Sequence, residues 1–323
     1  MASQAAPTGN DFDDLFARAK RTLGDQPVQA AFQSVRAIIG PARFPAGEDL
    51  AQAGMDALRE GQVPTTAQIA ALEAVIKAMR PSLLSQRALL DPLPAYANYE
   101  QGAVAQWDRF RQAAQQYLYS VGRIDKLDGD SINPMPMATG FVAALGVLVT
   151  NTHVLDAISN CTRLLQEGQA VVFFGQEYGI VPDAAPVAIT GVIAVHPTLD
   201  MSLLSIKDQN RTPWRIDDQP TEKAKHVAAI GYPQDDPRSP VFRDVIFGDR
   251  FLVKRGAPGE VRGLGPNAVY HDCSTLGGNS GSPLVDLDTC KVVGLHRDGP
   301  LFLFRNEAVD GASLKAFVKQ STT

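Results

Sequence analysis

The chain has 323 residues, and its 45% hydrophobic and 20% charged content is that of an ordinary globular protein, which excludes a disordered, collagen-like or coiled-coil chain. Thirty Lys and Arg against 35 Asp and Glu leave a formal charge of -5, so there is no basic footprint for nucleic acid or an anionic lipid surface. The length is roughly twice that of a usual single domain, and two folded units are expected.

The amino terminus, MASQAAPTGNDFDDLFARAK, lacks the cationic start and apolar core of a secretion signal. No apolar stretch reaches the roughly 18 residues that span a bilayer, since GFVAALGVLVTNTHVL is broken at Thr150, Asn151 and His153. Three Cys are too few and too odd for a disulfide framework, and with no signal they point to a reducing, cytoplasmic location.

The first third reads as helix. Phe12, Leu15, Phe16, Ala19 and Leu23 share one helical face, as do Val28, Phe32, Val35 and Ile39. Thr65 or Thr66 caps a helix whose apolar positions are Ile69, Leu72, Val75, Ile76 and Met79, and Pro81 stops it. A looser, proline-punctuated stretch, PSLLSQRALLDPLPAYANYE, follows; Trp107, Phe110, Ala114 and Tyr117 then mark a last helix ending near Tyr119. From Val121 the pattern changes to short apolar runs between Gly, Pro, Asn and Asp clusters, as in an all-β barrel or sandwich. The expected strands are GFVAALGVLVT, QAVVFFG, PVAITGVIAV, MSLLSI, HVAAIGY, DVIFGDRFLVKRG, AVYHDC, SPLVDL and KVVGLH. NEAVDGASLKAFVKQS, with Leu314, Phe317 and Val318 three and four apart, reads as a terminal helix.

The most informative segment is STLGGNSGSPL, Ser274 to Leu284, which sets the hydroxyl of Ser280 among glycines in a loop leading into a strand. Glycines let the backbone turn its N–H groups toward a developing oxyanion, and Gly278 and Ser280 would be those donors. The plain alternative is a Gly/Ser turn between strands.

GGNSGSP resembles the nucleophile loop of the chymotrypsin-fold, trypsin-like serine proteases, and STLGGNSGSPL with VVGLH resembles their glutamyl-endopeptidase branch. VLVTNTHVL supplies the family's His at a strand end, His153, and VHPTLDMSLLSI supplies its Asp, Asp200, in the chain order His, Asp, Ser. The strand end IGYP is also similar to bacterial members, and the likeness runs from about Val121 to Thr323. The periodicity gives a helical bundle over residues 1–118, regulatory or partner-binding, and a C-terminal helix, and the resemblance implies a two-barrel protease domain over 119–323. His153 and Asp200 would come from the first barrel, and Ser280 and the specificity pocket from the second, acting on protein or peptide substrates without metal or cofactor.

Asp156 and Asp183 are alternatives for the carboxylate, and His296 is an alternative base whose position suits a pocket better; His196, His226 and His271 read as loop or surface residues. The resemblance places Ser274 near the pocket floor and Thr275 and His296 where a Thr and a His bind an acidic side chain, with Arg297 adding charge nearby; a small or medium apolar side chain is the rival preference. Where pancreatic-type members have an Asp that pairs with a newly cut amino terminus, this chain has Asn279, so that switch is missing. Cys273 and Cys290 bracket the loop and read as buried thiols or a pair, and Cys161 as a small core residue. A catalytically silent peptide-binding module and an esterase on the same fold are the competing functions.

Overall fold

A computed structural model describes residues 9–23, 27–31, 33, 48–80, 82–95, 101–127, 134–180, 185–235, 246–248, 250–298 and 305–322. Two closed β-barrels form its body. The first joins β3 (Val121–Lys126), β4 (Met135–Ala144), β5 (Val147–Thr150), β6 (Ala170–Phe173), β7 (Val187–Val195) and β8 (Ser202–Ile206) in the ring β3-β4-β5-β8-β7-β6. The second joins β9 (His226–Gly231), β10 (Arg255–Gly265), β11 (Ala268–His271), β12 (Pro283–Asp286), β13 (Val292–Asp298) and β14 (Asn306–Asp310), closed where β10 pairs with β11. All these pairings are antiparallel. Closure removes exposed strand edges, and inward residues such as Ile124, Val142, Leu148, Val172 and Leu204 fill the first barrel while Val227, Val261, Leu284 and Val293 fill the second. The expected two-barrel chymotrypsin fold with N-terminal helices and a C-terminal helix is what forms.

The N-terminal helices are α1 (Gly9–Leu23), α2 (Glu48–Arg59), α3 (Thr66–Ala78) and α4 (Gln101–Leu118). Thr65 caps α3 in a reciprocal box with Gln68, and Met79 closes it. α2 carries little apolar bulk, burying Ala51, Gly54 and Met55, which is why its periodicity is faint in the sequence. Gly54 lies against the Gln68 backbone, where a Cβ would sit 3.0 Å from the carbonyl oxygen, so α2 and α3 approach closely. The second expected helix falls partly outside the described residues, which include Val28 but not Phe32, Val35 or Ile39.

α1, α2 and α3 share a core of Leu15, Ala19, Met55, Leu72, Val75 and Met79 with Ile246 and Phe247, and Leu276 packs on its edge. α4 instead inserts Trp107, Phe110, Ala114 and Tyr117 into the core between the barrels, beside Phe141, Leu203, Ile230 and Leu295, with Leu314 and Phe317 of α6 (Gly311–Thr322).

Three local readings need correction. The stretch after α3 is a hairpin, β1 (Leu83–Gln86) and β2 (Leu89–Leu90), that extends the second barrel through Leu83 opposite Gly256. DVIFGDRFLVKRG is no continuous strand: Ile246 and Phe247 form a helical turn among the N-terminal helices, and β10 begins at Arg255. NEAVD is β14 rather than helix, because Ala308 and Val309 are needed to close the barrel. No helix among the described residues is long and apolar enough to cross a membrane.

The hairpin turns on two non-glycine residues at positive φ, Arg87 at 52° and Ala88 at 55°, tolerated because Glu177 accepts the Ala88 N–H at 3.1 Å. Arg87 is exposed. Arg87→Gly is therefore expected to raise the unfolding free energy by about 1 kcal/mol, since glycine escapes the left-handed penalty, as measured by denaturant titration.

Candidate active site

The His153 side of the site is built by the end of β5. Past Thr150 the chain enters a short helix, α5 (Thr152–Ile158), which drives Val154, Leu155 and Ile158 into the first barrel and leaves His153 facing outward, its side chain half exposed. Asn151 Nδ2 donates to the Asp200 carbonyl at 2.8 Å, and the Thr152 hydroxyl donates to the Met201 carbonyl at 3.1 Å. These bonds stitch the helix start to the chain entering β8. They bring the Asp200 carboxylate to His153 twice, at 3.0 Å from the backbone N–H and 2.7 Å from Nδ1.

Burial alone would raise the Asp200 pKa, but the bonds from the His153 ring and backbone outweigh it and hold the carboxyl below its ordinary value. An ionised carboxylate only accepts, so Nδ1 carries a proton toward it, and Nε2 is the ring nitrogen left to act as a base. Of the two alternative carboxylates, Asp156 is engaged by Arg163 at 2.7 and 3.0 Å, and Asp183 lies outside the described residues.

The serine side rests on Thr139 of β4, which is fully buried. Its N–H donates to the Ser280 carbonyl at 2.9 Å, its hydroxyl donates to the Gly278 carbonyl at 2.7 Å and accepts from the Tyr232 N–H at 3.0 Å, and its carbonyl accepts from the Thr150 hydroxyl at 2.9 Å. Ser280 is thus tied through one residue to the chain three positions before His153. Gly281, at φ 87°, sits so tightly on Thr139 and Thr150 that any side chain would clash, and Gly278, also at φ 87°, sits equally tightly on Tyr232.

With their carbonyls committed to Thr139, Gly278 and Ser280 give their N–H groups to no backbone acceptor among the described residues, whereas Asn279 N–H goes to Leu276 and Gly281 N–H to His296. Asn279 is buried, its amide donating to Leu276 at 3.2 Å. The Ser280 hydroxyl donates to the Arg297 carbonyl at 3.3 Å, and no hydrogen bond to the His153 ring is among those described.

Of the predicted pocket residues, Thr275 is half-buried, while the Ser274 hydroxyl is buried and donates to the Arg80 carbonyl beyond α3 at 3.3 Å. Arg297 does not present a free charge, because Glu307 binds its guanidinium. His296 is buried, with Nδ1 3.1 Å from His271 Nε2. His271 is therefore no surface residue: it is fully buried, and burial brings its pKa down to about 4. Burial first, then His271 and His153, push His296 well below the ordinary imidazole value, so both rings are neutral. His271 Nδ1 has no hydrogen-bond partner among the described residues. An idle lone pair costs less there than an idle N–H, so His271 Nε2 donates and the proton of His296 rests on its Nε2.

Sequence reasoning also missed Thr139, whose role depends on contacts with Gly278, 139 residues away, and with Ser280 beyond it. The cysteines are all free: Cys273 and Cys290 are buried thiols, the latter pushed up to about 11 by burial, and Cys161 is exposed rather than in the core. No group of His, Cys, Asp and Glu among the described residues could hold a metal. Chemically, the site offers a carboxylate-oriented base, an alcohol on a rigid turn and two uncommitted N–H donors.

Residues 138–295 match the trypsin-like peptidase domain family. A probable serine protease of Lysobacter enzymogenes is 28% identical over 264 residues, covering 67% of this chain and 65% of that protein, so the chain spans less than two thirds of that relative's length. Similar solved structures include the M. tuberculosis protease Rv3671c in its active form (18% identity, TM-score 0.47, 67% of this chain and 86% of that one) and a serine endoprotease from Yersinia pestis (16%, 0.47, 65% of each). The domain match is thus to a peptidase family, and the curated relative is itself a probable serine protease.

Thr139→Val keeps the side-chain shape but orphans the Gly278 carbonyl and the Tyr232 N–H. It is expected to destabilise the protein by about 2–3 kcal/mol, as measured by thermal and denaturant unfolding.

Proposed function

We propose that the chain is a serine endopeptidase that works through an acyl-enzyme, with His153, Asp200 and Ser280 as its triad. The observation that carries the reading is the 2.7 Å bond from His153 Nδ1 to Asp200, which leaves Nε2 as acceptor, in a barrel to which the serine loop is also anchored through Thr139. Ser280 Oγ turns from the Arg297 carbonyl to His153 Nε2, gives up its proton and attacks the scissile carbonyl. The N–H groups of Gly278 and Ser280 take the oxyanion, a contribution on the order of 3 kcal/mol per donor. The imidazolium, held by Asp200, then protonates the leaving amine, and water completes the cycle by the same steps reversed.

The hydroxyl resting on Arg297 favours a second reading, a silent peptide-binding module. A fluorophosphonate probe separates the two. The protease reading expects labelling of the native chain that Ser280→Ala abolishes, and a fall in kcat for Asp200→Asn on the order of ten-thousandfold, as in other triads. A native chain that never labels supports the binder.

For the residue on the acyl side of the cut, we assign an acidic side chain received by Thr275 and the Nε2–H of His296, as in the glutamyl-endopeptidase branch. Burial holds His296 neutral, so a carboxylate brought against it favours the imidazolium and draws in a proton. Because binding takes up that proton, it strengthens as pH falls. The ratio of kcat/KM for a Glu substrate to that for its Gln counterpart is expected to rise as pH is lowered from about 8 to 6, by at most roughly tenfold per unit. A flat ratio would point to the apolar preference instead. In this reading residues 1–118 regulate the pocket rather than act as a detached appendage.

A further inference from the structure

Three alternate residues of the chain entering the nucleophile loop, Asp272, Ser274 and Leu276, all meet the N-terminal helical segment. Arg80, just past the end of α3, makes two of these contacts. Its Nη1 donates to Asp272 Oδ2 at 3.0 Å, and its carbonyl accepts the Ser274 hydroxyl at 3.3 Å. Its Nη2 donates to Glu260 of β10 at 2.9 Å, and Glu260 in turn accepts from Arg262 at 2.9 Å. Behind it, Arg18 of α1 is paired with Glu73 of α3 and lies 3.7 Å from Asp272, while Arg262 is paired with Asp14.

Asp272 sits between the two residues that shape the pocket. On one side is His271, whose ring fixes the tautomer of His296; on the other, past Cys273, is Ser274. Asp272 Oδ1 accepts the Glu260 N–H at 2.7 Å, so its other oxygen is what Arg80 holds. Asn279 carries no charge to pair, and its amide closes a turn onto Leu276. The charge that fixes the loop is therefore seated at Asp272 and is supplied by the helical segment.

We infer that Arg80 is a positioning residue for the specificity pocket, holding Asp272 and Ser274 so that side-chain selection depends on the docked N-terminal helices. The inference rests on the protease reading above. It makes the helical segment a brace that activity requires, not a lid that suppresses it. A bidentate guanidinium reaching two carboxylates and a backbone carbonyl that takes a hydroxyl fix position as well as charge, which a single point charge would not do.

The test uses the full-length chain with Arg80→Met and Glu260→Gln. Two readouts are compared: the rate of Ser280 labelling by a small alkyl fluorophosphonate, which needs no pocket, and kcat and KM for peptides that differ only in Glu, Gln or Ala on the acyl side of the cut. Arg80→Met should keep labelling within about threefold while kcat/KM for the preferred peptide falls roughly 30-fold and the preference collapses. Glu260→Gln, which removes one charge but keeps a side-chain oxygen for Arg80 Nη2 and the backbone bonds to Asp272, should keep the preference. A preference unchanged in Arg80→Met overturns the proposal, and so does a parallel loss of labelling and of every peptide, which would mark a purely structural role.

If Arg80→Met is not cooperatively folded by circular dichroism, Arg80→Lys and Ser274→Ala replace it. They must narrow the preference with labelling kept, and a preference intact in both overturns the proposal equally. A native chain that never labels sinks the protease reading itself, a result distinct from any of these.

Discussion

The site depends on Thr139. A single buried residue of the first barrel uses its N–H, its hydroxyl and its carbonyl to hold Ser280, Gly278, Tyr232 and Thr150. Each bond satisfies a group that could not be left unpaired at that depth, so the register between the barrels is set by polar accounting as much as by apolar packing. The glycines at 278 and 281 follow from the same constraint, because the loop must lie against Thr139 and Tyr232 with no room for a side chain. What this accounting leaves, two N–H groups given to no backbone acceptor among the described residues and an alcohol that donates to the Arg297 carbonyl, is what the proposed chemistry uses.

A second set of buried charges fastens the N-terminal third to this body. Lys254, fully buried, donates to the Leu118 carbonyl at the end of α4 at 2.7 Å and to the Phe174 carbonyl at 2.9 Å, with burial bringing its pKa down to about 8. Glu177 accepts from Ser85 at 2.7 Å and caps the turn at Ala88. One lysine and one glutamate thus link α4, the β1–β2 hairpin and both barrels. The helices α1 to α3 are attached differently, through their shared apolar core and through Arg80 and Arg262 on the back of the pocket wall.

What the sequence reveals follows from how local each signal is. The Ser280 loop is legible because its glycines, hydroxyl and following strand are contiguous, and the barrels are legible because alternation repeats along every strand. His153 and Asp200 are readable from strand ends, whereas their pairing depends on bonds from Asn151 and Thr152 that have no sequence pattern. The β1–β2 hairpin is hidden because its turn is Arg-Ala where Asn-Gly would be expected, and because β2 is two residues long. β14 is hidden by the helix that follows without a break. Arg80 and Asp272, 192 residues apart, carry no periodic trace of their partnership, and His271 beside Asp272 looks polar and solvated until the barrel closes over it.

The hairpin that precedes α4 carries a consequence for synthesis. Ser82 accepts from Arg255, 173 residues further along, and the apolar face shared by α1 to α3 is completed by Ile246, Phe247 and Leu276. As the polypeptide leaves the ribosome, those early helices must wait, uncovered, on the order of 10–40 s for their partners to emerge. During that interval the nascent chain needs shielding from aggregation. The wall running from Asp272 to Leu276 is made late against a brace that was synthesised first, so the second barrel closes onto helices that already carry Arg80 in place.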